Sequence, residues 1–207
     1  MNGIHGAKGK SRFALLCLFV LCWTAVSCSC AKKPAAETAR SMGVGWFEVG
    51  ADELGTRANG VIEIYEKEQN ALGIRILADL RIGPTDFGGV AVFLPAGCRL
   101  EGVSCTYPET DGAAGGDPPV NIWSTASDQE KYAVIIEIGR DREKVPGGGG
   151  SGTVVLEASY PSNDSDPVKS LTFGVECGAK EKNGSVIMGV GCCEITVEIE
   201  PFPWKKF

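Results

Sequence analysis

Histidine is almost absent from this chain: among 207 residues the single one is His5, close to the N-terminus. Everything beyond it lacks the imidazole that Ser-His-Asp and Cys-His chemistry use as general base, and lacks the usual nitrogen ligand for zinc. Helical periodicity is missing as well. After residue 30 no stretch of useful length repeats apolar residues at three- and four-residue spacing, which argues against bundles and α/β folds. The glycine run Gly147 to Gly150 lacks the Lys-Ser/Thr and the following helix that a phosphate loop needs. Asn163-Asp164-Ser165-Asp166 lacks the spaced acids and closing Glu of a calcium loop and reads as a turn before Pro167. Positive charge is in deficit, with 20 Lys and Arg against 26 Asp and Glu. Nucleic acid is therefore not an expected partner, because phosphate binding needs a cationic surface.

What the chain does have begins at its N-terminus. Lys8, Lys10 and Arg12 precede an apolar run from Phe13 to Val26 that ends in Ala25-Val26-Ser27-Cys28. A basic segment, a short apolar segment and small residues have the dimensions of a secretory signal peptide, and the run is short for a membrane span. The terminal cysteine resembles a bacterial lipobox, so residues 1–27 are expected to be a signal peptide and Cys28 the site of lipidation. Ordinary cleavage after Ala25-x-Ser27 or Ser29-x-Ala31, releasing a soluble form, and an uncleaved anchor are the alternatives. Residues 28–43, with Lys32, Lys33, Pro34 and Glu37 among small residues, suit a solvated tether. Loss of Lys8, Lys10 and Arg12 with the leader takes the net charge from −6 to −9. The expected location is extracytoplasmic, at the cell envelope, with the membrane met through the N-terminal lipid.

Residues 44–207 form one domain of ordinary size, patterned with period two. Ile74, Ile76, Ala78, Leu80 and Ile82 alternate with Arg75, Leu77, Asp79 and Arg81, giving one apolar and one largely polar face. Leu171, Phe173, Val175 and Cys177 alternate likewise, as do Ile195, Val197 and Ile199. Further β-rich runs fall near 44–49, 60–67, 87–94, 98–105, 120–124, 131–139 and 152–160, separated by Gly, Pro, Asn or Asp. About ten strands without helices predict an all-β fold of two packed antiparallel sheets, a cohesin-like or immunoglobulin-like β-sandwich. If strands alternate in direction, the loops near 83–86, 106–119, 140–151 and 178–184 share one end.

The order of segments resembles the cohesin family and related carbohydrate-binding modules. Val61 to Glu66, Gly73 and Ile74 to Ile82 are followed by Val90-Ala91-Val92-Phe93-Leu94-Pro95, then by Leu100-Glu101-Gly102-Val103. Gly152-Thr153-Val154-Val155-Leu156-Glu157-Ala158 matches the glycine and alternating strand that open the family's late hairpin region. Phe93-Leu94 stands where cohesins have Tyr-Asp. The resemblance implies a sandwich fold and a binding role.

Of nine cysteines, Cys98, Cys105, Cys177, Cys192 and Cys193 lie in the domain. Cys177 and Cys193 share the apolar parity of neighbouring strands, so a Cys177–Cys193 disulfide is expected in an oxidising compartment. No metal site is expected from the adjacent pair Cys192-Cys193 without a second pair or a His. Glu63, Glu66, Asp79, Glu137, Glu157 and Glu194 read as solvated sheet-face residues, and Trp46, Trp123, Tyr107, Tyr132, Tyr160 and Trp204 as core or edge aromatics, with a sugar-stacking platform as the other reading. The expected role is a non-catalytic surface module without a cofactor that binds a surface protein or a glycan. A carboxylate-based glycan hydrolase and a purely structural surface protein are the rivals.

Overall fold

The computed structural model describes residues 39–67, 71–109, 120–124, 131–162 and 167–200. The leader, Cys28, the turn at 163–166, Trp204 and most of the 106–119 loop lie outside these residues. Ten strands follow in order: β1 (Ser41–Ala51), β2 (Thr56–Lys67), β3 (Ala71–Ile82), β4 (Val90–Pro95), β5 (Arg99–Cys105), β6 (Val120–Ser124), β7 (Tyr132–Ile138), β8 (Gly150–Pro161), β9 (Ser170–Lys182) and β10 (Ser185–Glu198). A single 3₁₀ turn, Asp52–Leu54, links β1 to β2. The strands form two antiparallel five-stranded sheets, β1-β2-β3-β8-β5 and β10-β9-β4-β7-β6, stacked as a β-sandwich.

Period-two alternation decides which face of each strand turns inward, because successive side chains point to opposite sides of a pleated sheet. Ile62, Ile64, Ile74, Ile76 and Leu156 of the first sheet meet Val90, Val92, Leu94, Ile136 and Phe173 of the second in one core. Ile74, Ile76, Leu80, Leu171, Phe173, Val175, Ile195 and Val197 are all buried, while Arg75, Arg81, Glu198 and Glu200 are exposed, as the alternation predicts. β1 begins at Ser41, three residues before the domain start expected from sequence.

The two sheets close on each other along β1 and β10. Glu200 N donates to Met42 O at 2.8 Å there. Two glycines permit the approach, since a Cβ on Gly43 would strike the Glu198 carbonyl and one on Gly191 the Gly50 carbonyl. The far end is fastened by Asp86, buried in the β3–β4 connection. Its carboxylate accepts from Thr56 Oγ1 at 2.6 Å, Gly88 N at 2.7 Å and Ala179 N at 3.1 Å, tying the start of β2 to β9 in the opposite sheet. Asp141 N donates to Phe87 O and Glu109 N to Ser151 O, both at 2.8 Å, so the described parts of the loops expected to cluster do meet at this end.

β9 and β10 run further than their apolar pattern. They continue to a two-residue turn at Asn183-Gly184, where both residues have positive φ (54° and 77°), the geometry that suits the right-handed twist of a hairpin.

Candidate binding face on the first sheet

Register places the outward side chains of the first sheet in rows across its strands. Trp46 on β1 opposes Val61 on β2, which opposes Leu77 on β3, which opposes Val155 on β8. These four form an apolar row on the solvent side, roughly 14 Å long at the usual strand spacing of ~4.8 Å. Trp46 is 76% exposed and Leu77 44%. The next row toward the Asp86 end is polar: Glu48, Asn59, Asp79 and Thr153. Between the two rows lies a depression of about 490 Å³ lined by Trp46, Val61, Leu77, Glu48, Asn59 and Asp79. One step further, Arg57 and Arg81 stand directly opposite each other and line a contiguous hollow with Asn59 and Asp79.

The partners of the charged groups differ sharply between rows. On the other side of the apolar row Arg75 is held by Glu157 at 2.7 Å and Glu63 at 3.7 Å, with Tyr65 OH donating to Glu157 at 3.3 Å. Hydrogen bonding to Glu157 holds the Arg75 guanidinium above its ordinary value. Asp79 accepts from Thr153 Oγ1 at 3.2 Å. Glu48 and Asn59 make no side-chain hydrogen bond or ion pair among the described residues, and neither Arg57 nor Arg81 has a carboxylate within 4.0 Å among them.

The remaining acids behave as sheet-face residues with one exception. Glu66 is exposed, and Glu194 pairs with Lys131 and accepts from Tyr132 OH at 3.0 Å. Glu137, expected on a wet face, is instead 2% exposed. It accepts from Trp123 Nε1 at 2.8 Å, Arg142 Nη2 at 2.9 Å and Arg140 Nη1 at 3.1 Å, and Arg142 stacks 4.2 Å above the Trp123 ring. Burial alone pushes the Glu137 carboxyl up, but these donors outweigh it and hold the group below its ordinary value. The alternation could not reveal this, because the cations that cover Glu137 come from the loop after β7. Arg140 is itself buried, its Nε donating to Gly88 O and its Nη2 standing 3.5 Å from Glu176, an ion-pair distance without hydrogen-bond geometry.

The aromatics named from sequence do not assemble into one platform. Trp46 lies on the first sheet, whereas Trp123 and Tyr132 lie on the outer side of the second, Tyr132 against Phe93 with centroids 5.3 Å apart. Tyr107 is buried and Tyr160 half-buried. The five cysteines among the described residues, Cys98, Cys105, Cys177, Cys192 and Cys193, are free thiols. Cys177 and Cys193 do share the inner face, but Cys177 opposes Gly191 and Cys193 opposes Val175, so the two are diagonal neighbours. Burial raises the Cys177 thiol to about 12, and its Sγ lies 3.6 Å from Val49 O. Cys192 points to the opposite, exposed side.

Two features of the face escaped the sequence. Leu77 sits among Arg75, Asp79 and Arg81 and shares their polar parity, and Trp46 shares the parity of Glu48, opposite to Phe47 and Val49, but that the two residues fall in one row follows only from the registers through Val61. No protein-family model matches the chain, and no curated protein matches it in sequence. Function must be argued from this face itself.

Proposed function

We propose that this chain is an exported, lipid-anchored binding module of the cell surface, and that it binds through the outer face of the first sheet around Trp46. The observation that carries this reading is the exposure of Trp46 beside Leu77, with Glu48 and Asn59 making no side-chain hydrogen bond or ion pair among the described residues. An indole left in water forgoes roughly 1.5–3 kcal/mol of burial, and tryptophan is the side chain most enriched where binding energy concentrates. The sandwich architecture and the cohesin-like order of segments support a binding role. A catalytic role has less support. Glu48 and Asp79 are exposed on an open sheet, whereas a general acid is tuned by an enclosed, water-poor setting.

The test compares the full chain with Trp46→Ala against cell-envelope extract and a glycan array. Trp46→Ala should melt like the parent, within about 0.5 kcal/mol, because the position is a surface one. It should lose at least about tenfold in affinity for whatever the parent retains. Unchanged retention would remove this face from function, and turnover of a glycan by the parent would make the chain an enzyme. Anchoring is tested separately: Cys28→Ala should shift the protein out of the detergent-soluble membrane fraction.

A further inference from the structure

We propose that the depression beside Trp46 receives a lysine or arginine side chain from a basic protein partner, an inference that rests on the binding role of this face. Trp46, Val61 and Leu77 make an apolar wall and floor, and Glu48 and Asp79 stand at one end on either side of Asn59. Neighbouring strands are ~4.8 Å apart and residues two apart on a strand are ~6.8 Å apart, so between backbone positions Glu48 lies about 7 Å and Asp79, two strands across, about 12 Å from Trp46, with the depression between them. Among the described residues the lining of the depression carries two carboxylates and no cation, and Arg57 and Arg81 begin one row beyond it. The nearest cation on the far side of the apolar row, Arg75, is committed to Glu63 and Glu157.

A long cationic side chain matches each part of this arrangement. Its methylenes cover Val61 and Leu77, its charge lies over the electron-rich face of Trp46, and its donors reach Glu48 and Asp79. Glu48 makes no other side-chain contact of this kind among the described residues, so recruiting it breaks nothing. The depression is open along the sheet, which suits a side chain carried by a macromolecule better than a free ligand that needs enclosure. The flanking groups set the position. Arg57 and Arg81, one row beyond Asp79, repel a cation on that side and leave the Trp46 side as the place where it can settle. The net charge of −9 after leader removal steers a basic partner toward the protein. A glycan fits less well, because Val61, Leu77 and Val155 offer no aromatic ring for a second sugar to stack on.

The experiment titrates the ¹⁵N-labelled full chain, purified in detergent, with capped Gly-Arg-Gly, Gly-Lys-Gly and the neutral isostere Gly-citrulline-Gly, and with a neutral β-glucan oligosaccharide. The Trp46 indole N–H is followed by NMR. The two cationic peptides should shift that resonance and bind at least about fivefold tighter than the citrulline peptide, and the preference should shrink as salt rises. Trp46→Ala, which lacks that indole and is followed through the backbone amides of Val61 and Leu77 instead, should weaken the cationic peptides roughly threefold to thirtyfold. The double variant Glu48→Gln, Asp79→Asn should bring arginine and citrulline peptides level. Equal binding of the citrulline peptide by the parent, or tighter binding of the oligosaccharide at Trp46, would overturn the cation inference and leave the binding face standing. If neither these probes nor any species retained in the preceding test perturbs Trp46, both fall together.

Discussion

Replacing Asp86 with alanine should be among the most damaging single changes in the domain, even though it removes only one small side chain. The carboxylate is 1% exposed and accepts three hydrogen bonds, from the Thr56 hydroxyl and from the backbone N–H groups of Gly88 and Ala179. The hydroxyl can rotate toward another acceptor, but the two amides cannot move without displacing β9 or the β3–β4 connection. Each buried donor left unpaired costs about 1–3 kcal/mol, so Asp86→Ala should destabilise by roughly 3–5 kcal/mol once the loss at Thr56 is included. Asparagine separates the hydrogen bonds from the charge. Its oxygen can keep both amides, and its amide nitrogen can donate to Thr56 Oγ1, which already accepts from Gly83 N at 3.0 Å and has a second lone pair. Asp86→Asn should therefore cost only about 1 kcal/mol, the difference between charged and neutral acceptors. Urea unfolding of the three proteins at neutral pH measures this directly, as a midpoint shift at constant slope. If Asp86→Ala lies within 1 kcal/mol of the parent, or asparagine is as damaging as alanine, the carboxylate is not what fastens the two sheets here.

Phe173→Ala should cost about 3–5 kcal/mol in the same assay, because the ring is fully buried between the sheets and its loss leaves a cavity. Glu137 has a lowered folded-state value, so its bonds to Arg140, Arg142 and Trp123 stabilise the fold above the ordinary carboxylate range; that contribution is lost as pH falls through the lowered value. The urea midpoint of the parent should thus approach that of Glu137→Gln as pH falls below the ordinary carboxylate range, and a gap that is constant with pH would contradict the assignment. Arg57→Thr should raise stability by up to about 0.5 kcal/mol at low salt and by nothing at high salt, since it relieves the like-charge pair with Arg81; thermal melts at two ionic strengths test it.

The strands were legible where one face is buried and the other wet, because alternation is then forced on the sequence. Ile74 to Ile82 is the clearest case, and there every inward and outward position is as read. Legibility failed where that condition does not hold. Lys180 to Lys182 and Ser185 to Met188 extend the β9–β10 hairpin beyond the core, and with exposure on both sides there is no alternation to read. Glu137 was misplaced because loop cations, not the strand's own pattern, cover it. The proposed binding face was harder still. Trp46, Val61 and Leu77 are separated by 15 and 16 positions in the chain and become neighbours only through two hairpin registers, which composition does not encode.

The loop cluster at the Asp86 end is the usual place to look for recognition on a sandwich, and the glycine run at 147–150 invites that reading. The structure gives those loops other work. Asp86 ties the β3–β4 connection to both sheets, Glu109 bonds to Ser151, and Asp141 bonds to Phe87. Half of the glycine run is itself built in: Gly149 and Gly150 have φ of 76° and 148°, and a Cβ on Gly149 would lie 2.6 Å from Ile82 O. Within the run, Gly147 and Gly148 have nothing within 4 Å of an added Cβ, although Gly148 also has a positive φ, 86°. Backbone groups bonded in this way are held in place. The outer face of the first sheet carries no such duty. Its side chains can change without breaking the ladder beneath them, so under the proposed function the sheet backbone presents Trp46, Leu77, Glu48 and Asn59 at fixed spacing and the ordering cost on binding is confined to their side chains.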